Sequence, residues 1–183
     1  ETNNLSTSSS LLISNEKKSY KQALTGVAFE LIRDRNPIDI SHIDVDVERN
    51  LTFARPDGYP LRLDLYKPKQ VTGKVPCVIF IHGGGWVVHK RQWFAGHAAL
   101  FASRGYIGVT VDYRKKHAFT PIEAVQDVKA AVRWVRANAD KYNIDTNKIG
   151  ACGASAGAHL TAALATTGGI KALEGNGGNA GFS

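Results

Sequence analysis

Ser155 stands in the pentapeptide Gly153-Ala154-Ser155-Ala156-Gly157, directly after a short apolar run and directly before a helix-forming one. A serine so placed is a nucleophile by position. Small neighbours let the chain turn from strand to helix sharply enough that the hydroxyl stands clear above the sheet. The amide of Ala156 then points to where an oxyanion would form, and the helix beginning there adds its positive end. A second glycine loop, His82-Gly83-Gly84-Gly85-Trp86, also follows an apolar run. Consecutive glycines free the backbone to aim two amides at one point, here those of Gly84 and Gly85. With Ala156 they make three donors for the oxyanion of an acyl transfer. Trp86, beside them, is a candidate for the wall of the acyl or alcohol pocket. A serine hydroxyl also needs a base, and the histidines on offer are His42, His82, His89, His97, His117 and His159.

Two such loops can meet only if one sheet carries both. The run 75–81 (VPCVIFI) is almost continuously apolar, as a strand buried on both faces should be. Residues 91–105 read as a helix closed by Gly105, and residues 106–113 as a second buried strand. Thr120, Pro121 and Glu123 form a capping box that opens a helix with Val125, Val128, Val132 and Val135 on one stripe. A turn over 143–147 and a third short strand over 148–152 lead to Ser155, and a helix follows it. Strand and helix alternate three times, which predicts a parallel sheet with helices on both faces. Its last strand, the one leading to Ser155, would be an edge. Upstream, residues 42–47, 51–54 and 61–66 alternate like half-exposed antiparallel strands. Residues 1–16 read as a loose tail and 17–35 as a helix ended by Asn36-Pro37, which divides the chain into 1–40 and 41–183. The final stretch from Gly168 reads as a loop with at most one helical turn.

Composition excludes several classes. The 183 residues suffice for one domain with a core, and no apolar run approaches the ~18 residues of a membrane span. The net charge of +7 is scattered, and solvated faces account for it. Nucleic-acid binding would need basic residues clustered on one element with aromatics interleaved. Cys77 and Cys152 fall in strands expected to be buried, about 10 Å apart if those strands are neighbours, too far for a disulfide. No His/Cys spacing suggests a metal, and no cofactor is required. The chain contains no Met and begins at Glu1. That start looks processed, which leaves the compartment open and is compatible with a secreted or periplasmic protein.

The pairing of His82-Gly83-Gly84-Gly85-Trp86 with the Ser155 pentapeptide, and of Asp112-Tyr113-Arg114 with the helix 127–139 between them, resembles the α/β-hydrolase superfamily. The resemblance covers roughly residues 43 to 183. It is nearest the carboxylesterases of the hormone-sensitive-lipase branch, and within them the BD-FAE-like esterases that deacylate plant-polysaccharide esters. It implies a three-layer α/β-hydrolase sandwich with a mostly parallel sheet, of which this chain is the N-terminal half. It carries the nucleophile role to Ser155 and the oxyanion hole to Gly84, Gly85 and Ala156. Ala154 and Ala158 depart from that branch, which usually has Asp before the serine and often glycine after the elbow.

Triad partners in this superfamily follow the serine in the order Ser, acid, His. After Ser155 only His159 and Glu174 remain, the first within the helix leading away and the second in the final loop. Both read as structural. His82 orients its own loop, and Asp112 and Asp127 brace loops near strand ends. The acid and the histidine are therefore expected from a missing C-terminal part or a second chain, and this chain alone is expected to be inactive. The expected function is carboxylic-ester hydrolysis through an acyl-enzyme. Its rivals are a noncatalytic binding protein on the same scaffold and a dinucleotide-binding domain. The latter leaves the tri-glycine loop unexplained, and its G-x-G-x-x-G pattern is not matched by Gly150, Gly153 and Gly157.

Overall fold

The structure, a computed structural model, describes residues 39–88, 90–115 and 120–182. The helix expected over 17–35, and His89 and His117, lie outside the described residues. Five strands form one sheet: β1 Val45–Ala54, β2 Leu61–Pro68, β3 Val75–Ile81, β4 Ile107–Val111 and β5 Ile144–Gly153. Their spatial order is β1-β2-β4-β3-β5. β2 runs antiparallel to β1 and to β4, whereas β4, β3 and β5 are mutually parallel. Only β2 therefore points the other way, and the sheet is mostly parallel as expected.

The helices follow from the strand order. α1 (Ala95–Ala102) joins β3 to β4, and α2 (Pro121–Ala137) joins β4 to β5 across β3. These two crossovers step in opposite directions along the sheet. Right-handed connections then put them on opposite faces. Tyr66 and Phe80 pack with Ala95, Ala98, Ala99 and Ala102 on the α1 face. Leu63, Leu65, Ile79, Ile81, Val109 and Val111 pack on the other face with α2, through Val125, Val128 and Val135, and with Leu160 of α3 (Ala156–Thr166). The capping box is formed as the sequence implies: Thr120 Oγ1 accepts from the Glu123 amide, and Glu123 reaches back to the Thr120 amide.

Four local expectations are corrected. The two segments expected as separate strands, 42–47 and 51–54, merge into one, β1, which begins only at Val45 and has a register break between Glu48 and Leu51 where Asn50 takes φ 60°. Its amide donates to Asp64 Oδ1 (2.8 Å) instead of to the ladder. The expected turn over 143–147 lies largely inside β5. Val75 pairs with Ile144 and Cys77 with Ile149, so two steps on β3 span five on β5. The extra residues bulge outward, helped by the Asn147 amide donating to Asp145 Oδ1. The helix expected from 91 begins as a 3-10 turn, Arg91–Phe94, and its α-helical part ends at Ala102, short of Gly105. Cys152, expected to be buried, is exposed, because β5 is the outermost strand and no described element covers its α1-side face.

Candidate active site

β3, β4 and β5 end at the same side of the sheet, where open α/β folds gather their functional loops. The turn after β5 is the tightest feature there. Ser155 has φ 52° and ψ −116°, a conformation that costs a non-glycine residue about 1–3 kcal/mol and persists only where its surroundings enforce it. Those surroundings are close-packed glycines. A Cβ on Gly157 would run into the carbonyl oxygens of Ile81 and His82, and one on Gly153 into the Gly157 carbonyl. Both positions of the G-x-S-x-G pattern are thus fixed by approach distance: α3 starts directly against the end of β3. The Gly157 amide donates to Ala154 O (2.8 Å), closing the turn. Ser155 is left exposed, and Ala156 is buried at the first turn of α3.

The tri-glycine loop meets this turn. A Cβ on Gly83 would lie 2.6 Å from Ala154 O and 3.3 Å from Ser155 Cβ. Gly84, half-buried, and Gly85, exposed, take φ 102° and φ 60°. The structure thus brings together the stretch holding Gly84 and Gly85 and the turn holding Ser155 and Ala156. Trp86 has φ 61° and is half-buried against the α2 and α3 side of the core. Its ring meets His159 edge-on, centroids 5.5 Å apart, and its buried Nε1 has no hydrogen-bond partner among the described residues. His159 of α3 thus packs against the tryptophan that ends the tri-glycine loop.

Against the tri-glycine loop sits Tyr113, buried. Its ring stacks on buried His82 (centroids 4.4 Å), and its hydroxyl donates to His82 O (2.9 Å) and Gly83 O (3.2 Å). His82 Nδ1 lies 2.8 Å from Gly83 O, so the imidazole faces its own loop.

Four cations that composition assigned to solvated faces are buried instead: Arg91, Arg114, Lys129 and Arg133. Arg91, 6% exposed, reaches Asp64 Oδ1 (3.0 Å) through Nε, Asp112 Oδ2 through Nη1 and the Asn50 side chain through Nη2. Asp112 is thereby committed to Arg91, the bracing role expected of it. Arg114, 2% exposed, pairs with Asp127 (2.9 Å), which also accepts from the Arg114 amide (2.8 Å). These pairs staple the segments after β3 and β4 to the sheet and to α2. Nothing in a linear sequence distinguishes them from surface arginines. Glu174 pairs with Lys129 (2.6 Å) and Arg133 (2.8 Å) of α2, a structural use. Among the described residues, no side chain hydrogen-bonds to the Ser155 hydroxyl.

The mostly parallel sheet, the helices on both faces and the strained serine turn between β5 and α3 define an α/β-hydrolase fold. The family model for BD-FAE matches residues 63–181, and the chain belongs to that family. Esterase LipC of Mycobacterium tuberculosis is 38% identical over 108 residues, 57% of this chain and 27% of that protein. Isoprenylcysteine alpha-carbonyl methylesterase ICME of Arabidopsis thaliana is 33% identical over 129 residues, 70% of this chain and 30% of that protein. Among solved structures, a thermophilic esterase from the Planctomycetes species Thermogutta terrifontis superposes with a TM-score of 0.62 at 33% identity, covering 73% of this chain and 48% of that one. The same esterase has been solved phosphonylated by cyclosarin, at 32% identity and TM-score 0.60, covering 70% and 48%. The chain spans between a quarter and a third of these curated relatives and about half of the solved esterase.

Proposed function

We propose that this chain carries the nucleophile and the oxyanion donors of a serine carboxylic-ester hydrolase. The observation that carries the reading is the conformation of Ser155, held exposed at φ 52° and ψ −116° with Gly83 packed against its Cβ. Strained backbone at an exposed, reactive side chain is the kind that clusters at active sites. The esterase names borne by the relatives support the same chemistry.

In the proposed reaction the Ser155 Oγ adds to the ester carbonyl carbon as its proton passes to an imidazole. The carbonyl oxygen becomes an oxyanion, received by the amides of Gly84, Gly85 and Ala156. The carbon–alkoxide bond then breaks, the imidazolium protonates the departing alcohol, and a water molecule repeats the sequence to release the acid and restore the serine. Each oxyanion donor contributes about 3 kcal/mol to lowering the barrier. Trp86 lines the entry for the acyl or alcohol group.

The imidazole and its acid come from polypeptide outside these 183 residues, completing the sheet beside β5. The order of triad members in the chain supports this, as does a groove of about 620 Å³ along β5 whose walls include Lys129, Arg133, Ile149, Ala151 and Leu164. The test is hydrolysis of a short-chain p-nitrophenyl ester by the protein as its source makes it. Ser155→Ala should lower kcat by about 10³-fold or more with the fold intact. Retention of turnover by that variant would assign the chemistry elsewhere. No turnover by either protein would favour a binding role.

A further inference from the structure

Tyr113 reaches no reacting atom, yet it holds the loop that does. It is 1% exposed, and its hydroxyl is shared between two consecutive carbonyls, those of His82 and Gly83. The described peptide bonds are all trans. In a trans peptide the C=O and the N–H that follows it point in opposite directions. A donor that fixes the Gly83 carbonyl therefore also fixes the Gly84 amide, and aims it away from Tyr113. Glycine on both sides leaves that peptide plane free to rotate unless something outside the loop anchors it. Two groups meet the Gly83 carbonyl: His82 Nδ1 (2.8 Å) from within the loop, and from outside it the Tyr113 hydroxyl (3.2 Å), which shares its one proton with the His82 carbonyl (2.9 Å) while its ring stacks on the imidazole.

We infer that Tyr113 is a positioning residue for the oxyanion hole: its hydroxyl locks the Gly83–Gly84 peptide so that the Gly84 amide faces the carbonyl oxygen under attack by Ser155. This rests on the ester-hydrolase reading above. Burial, reinforced by the neighbouring Asp112 carboxylate, pushes the Tyr113 hydroxyl to a higher pKa than an exposed tyrosine, so the donor keeps its proton.

The test is Tyr113→Phe in the protein as its source makes it, assayed on a p-nitrophenyl ester and with a trifluoromethyl ketone that captures the serine as a tetrahedral adduct. The expected result is a kcat lower by about 10- to 100-fold with KM within about twofold, and ketone affinity weakened by the same factor as kcat/KM. An unchanged kcat, or a loss confined to KM, overturns the inference. If the wild type neither turns over ester nor reacts with a fluorophosphonate, the hydrolase reading itself falls. If the wild type does both and the variant matches it, only the positioning role falls. Should the Phe variant fail to fold, 3,5-difluorotyrosine at position 113 keeps the ring and makes the hydroxyl more acidic. Its kcat should then decline as the phenolate absorbance appears. A pH profile identical to wild type would overturn the inference by that route.

Discussion

Gly157 sits so close to Ile81 that no β-carbon fits between its α-carbon and the Ile81 carbonyl oxygen. This single approach joins the start of α3 to the end of β3, and it is why the two glycine loops share one place. Gly157→Ala should cost at least about 1–3 kcal/mol, since neither partner is a flexible side chain that can move aside. Urea unfolding measures it. A variant as stable as wild type would show that α3 can shift outward freely.

Arg91 answers two carboxylates, and Asp64, with a side chain only 1% exposed, has little water to fall back on. Arg91→Met should destabilise the protein by about 3–5 kcal/mol, because the buried Asp64 charge loses its partner. Replacing both, Arg91→Met with Asp64→Leu, should recover most of that loss, which a double-mutant comparison by thermal or urea unfolding reads directly.

Glu123 accepts the Thr120 amide in the capping box, and that bond, with the Thr120 hydroxyl second, holds its carboxyl below the ordinary value of 4.5. The depressed group contributes stability that is present above 4.5 and disappears as pH falls through its lower folded-state value. Glu123→Gln, which keeps an acceptor and removes the charge, should therefore be less stable than wild type near neutral pH. The gap should close as the solution is acidified below 4.5, checked by melts across a pH series. A gap that widens on acidification would contradict this assignment.

The two thiols should differ in reactivity. Cys77 is buried, and burial pushes its thiol up to about 12, whereas Cys152 is exposed on β5. A maleimide followed by peptide mapping should label Cys152 alone under native conditions and both in denaturant. Native labelling of Cys77 would mean that β3 is not held as described.

Much of this arrangement was legible because its physical causes are local. A strand buried on both faces must be apolar throughout, and Val75–Ile81 matches its sequence reading residue for residue. The Thr120–Glu123 box declares a helix start within four residues. The serine turn was readable because close packing demands glycine at 153 and 157. What escaped depends on contacts between residues distant in sequence. A tyrosine at a strand end does not reveal that its hydroxyl meets carbonyls 30 and 31 positions earlier. Arg91 and Arg114 look like any surface arginines until folding brings carboxylates to them. The edge position of β5 was legible, but the pattern of one strand does not say that its α1-side face goes uncovered by any described element, which is what exposes Cys152.

The central claim is that Ser155 is an activated nucleophile. It is tested most directly by exposing the native protein to a fluorophosphonate and locating the adduct by peptide mass spectrometry. The expected product carries a single phosphonylated site, on the peptide bearing Ser155, abolished by Ser155→Ala and by prior unfolding. An ester-hydrolysing protein whose adduct lies on any other residue, or which takes up no phosphonate at Ser155, would contradict it.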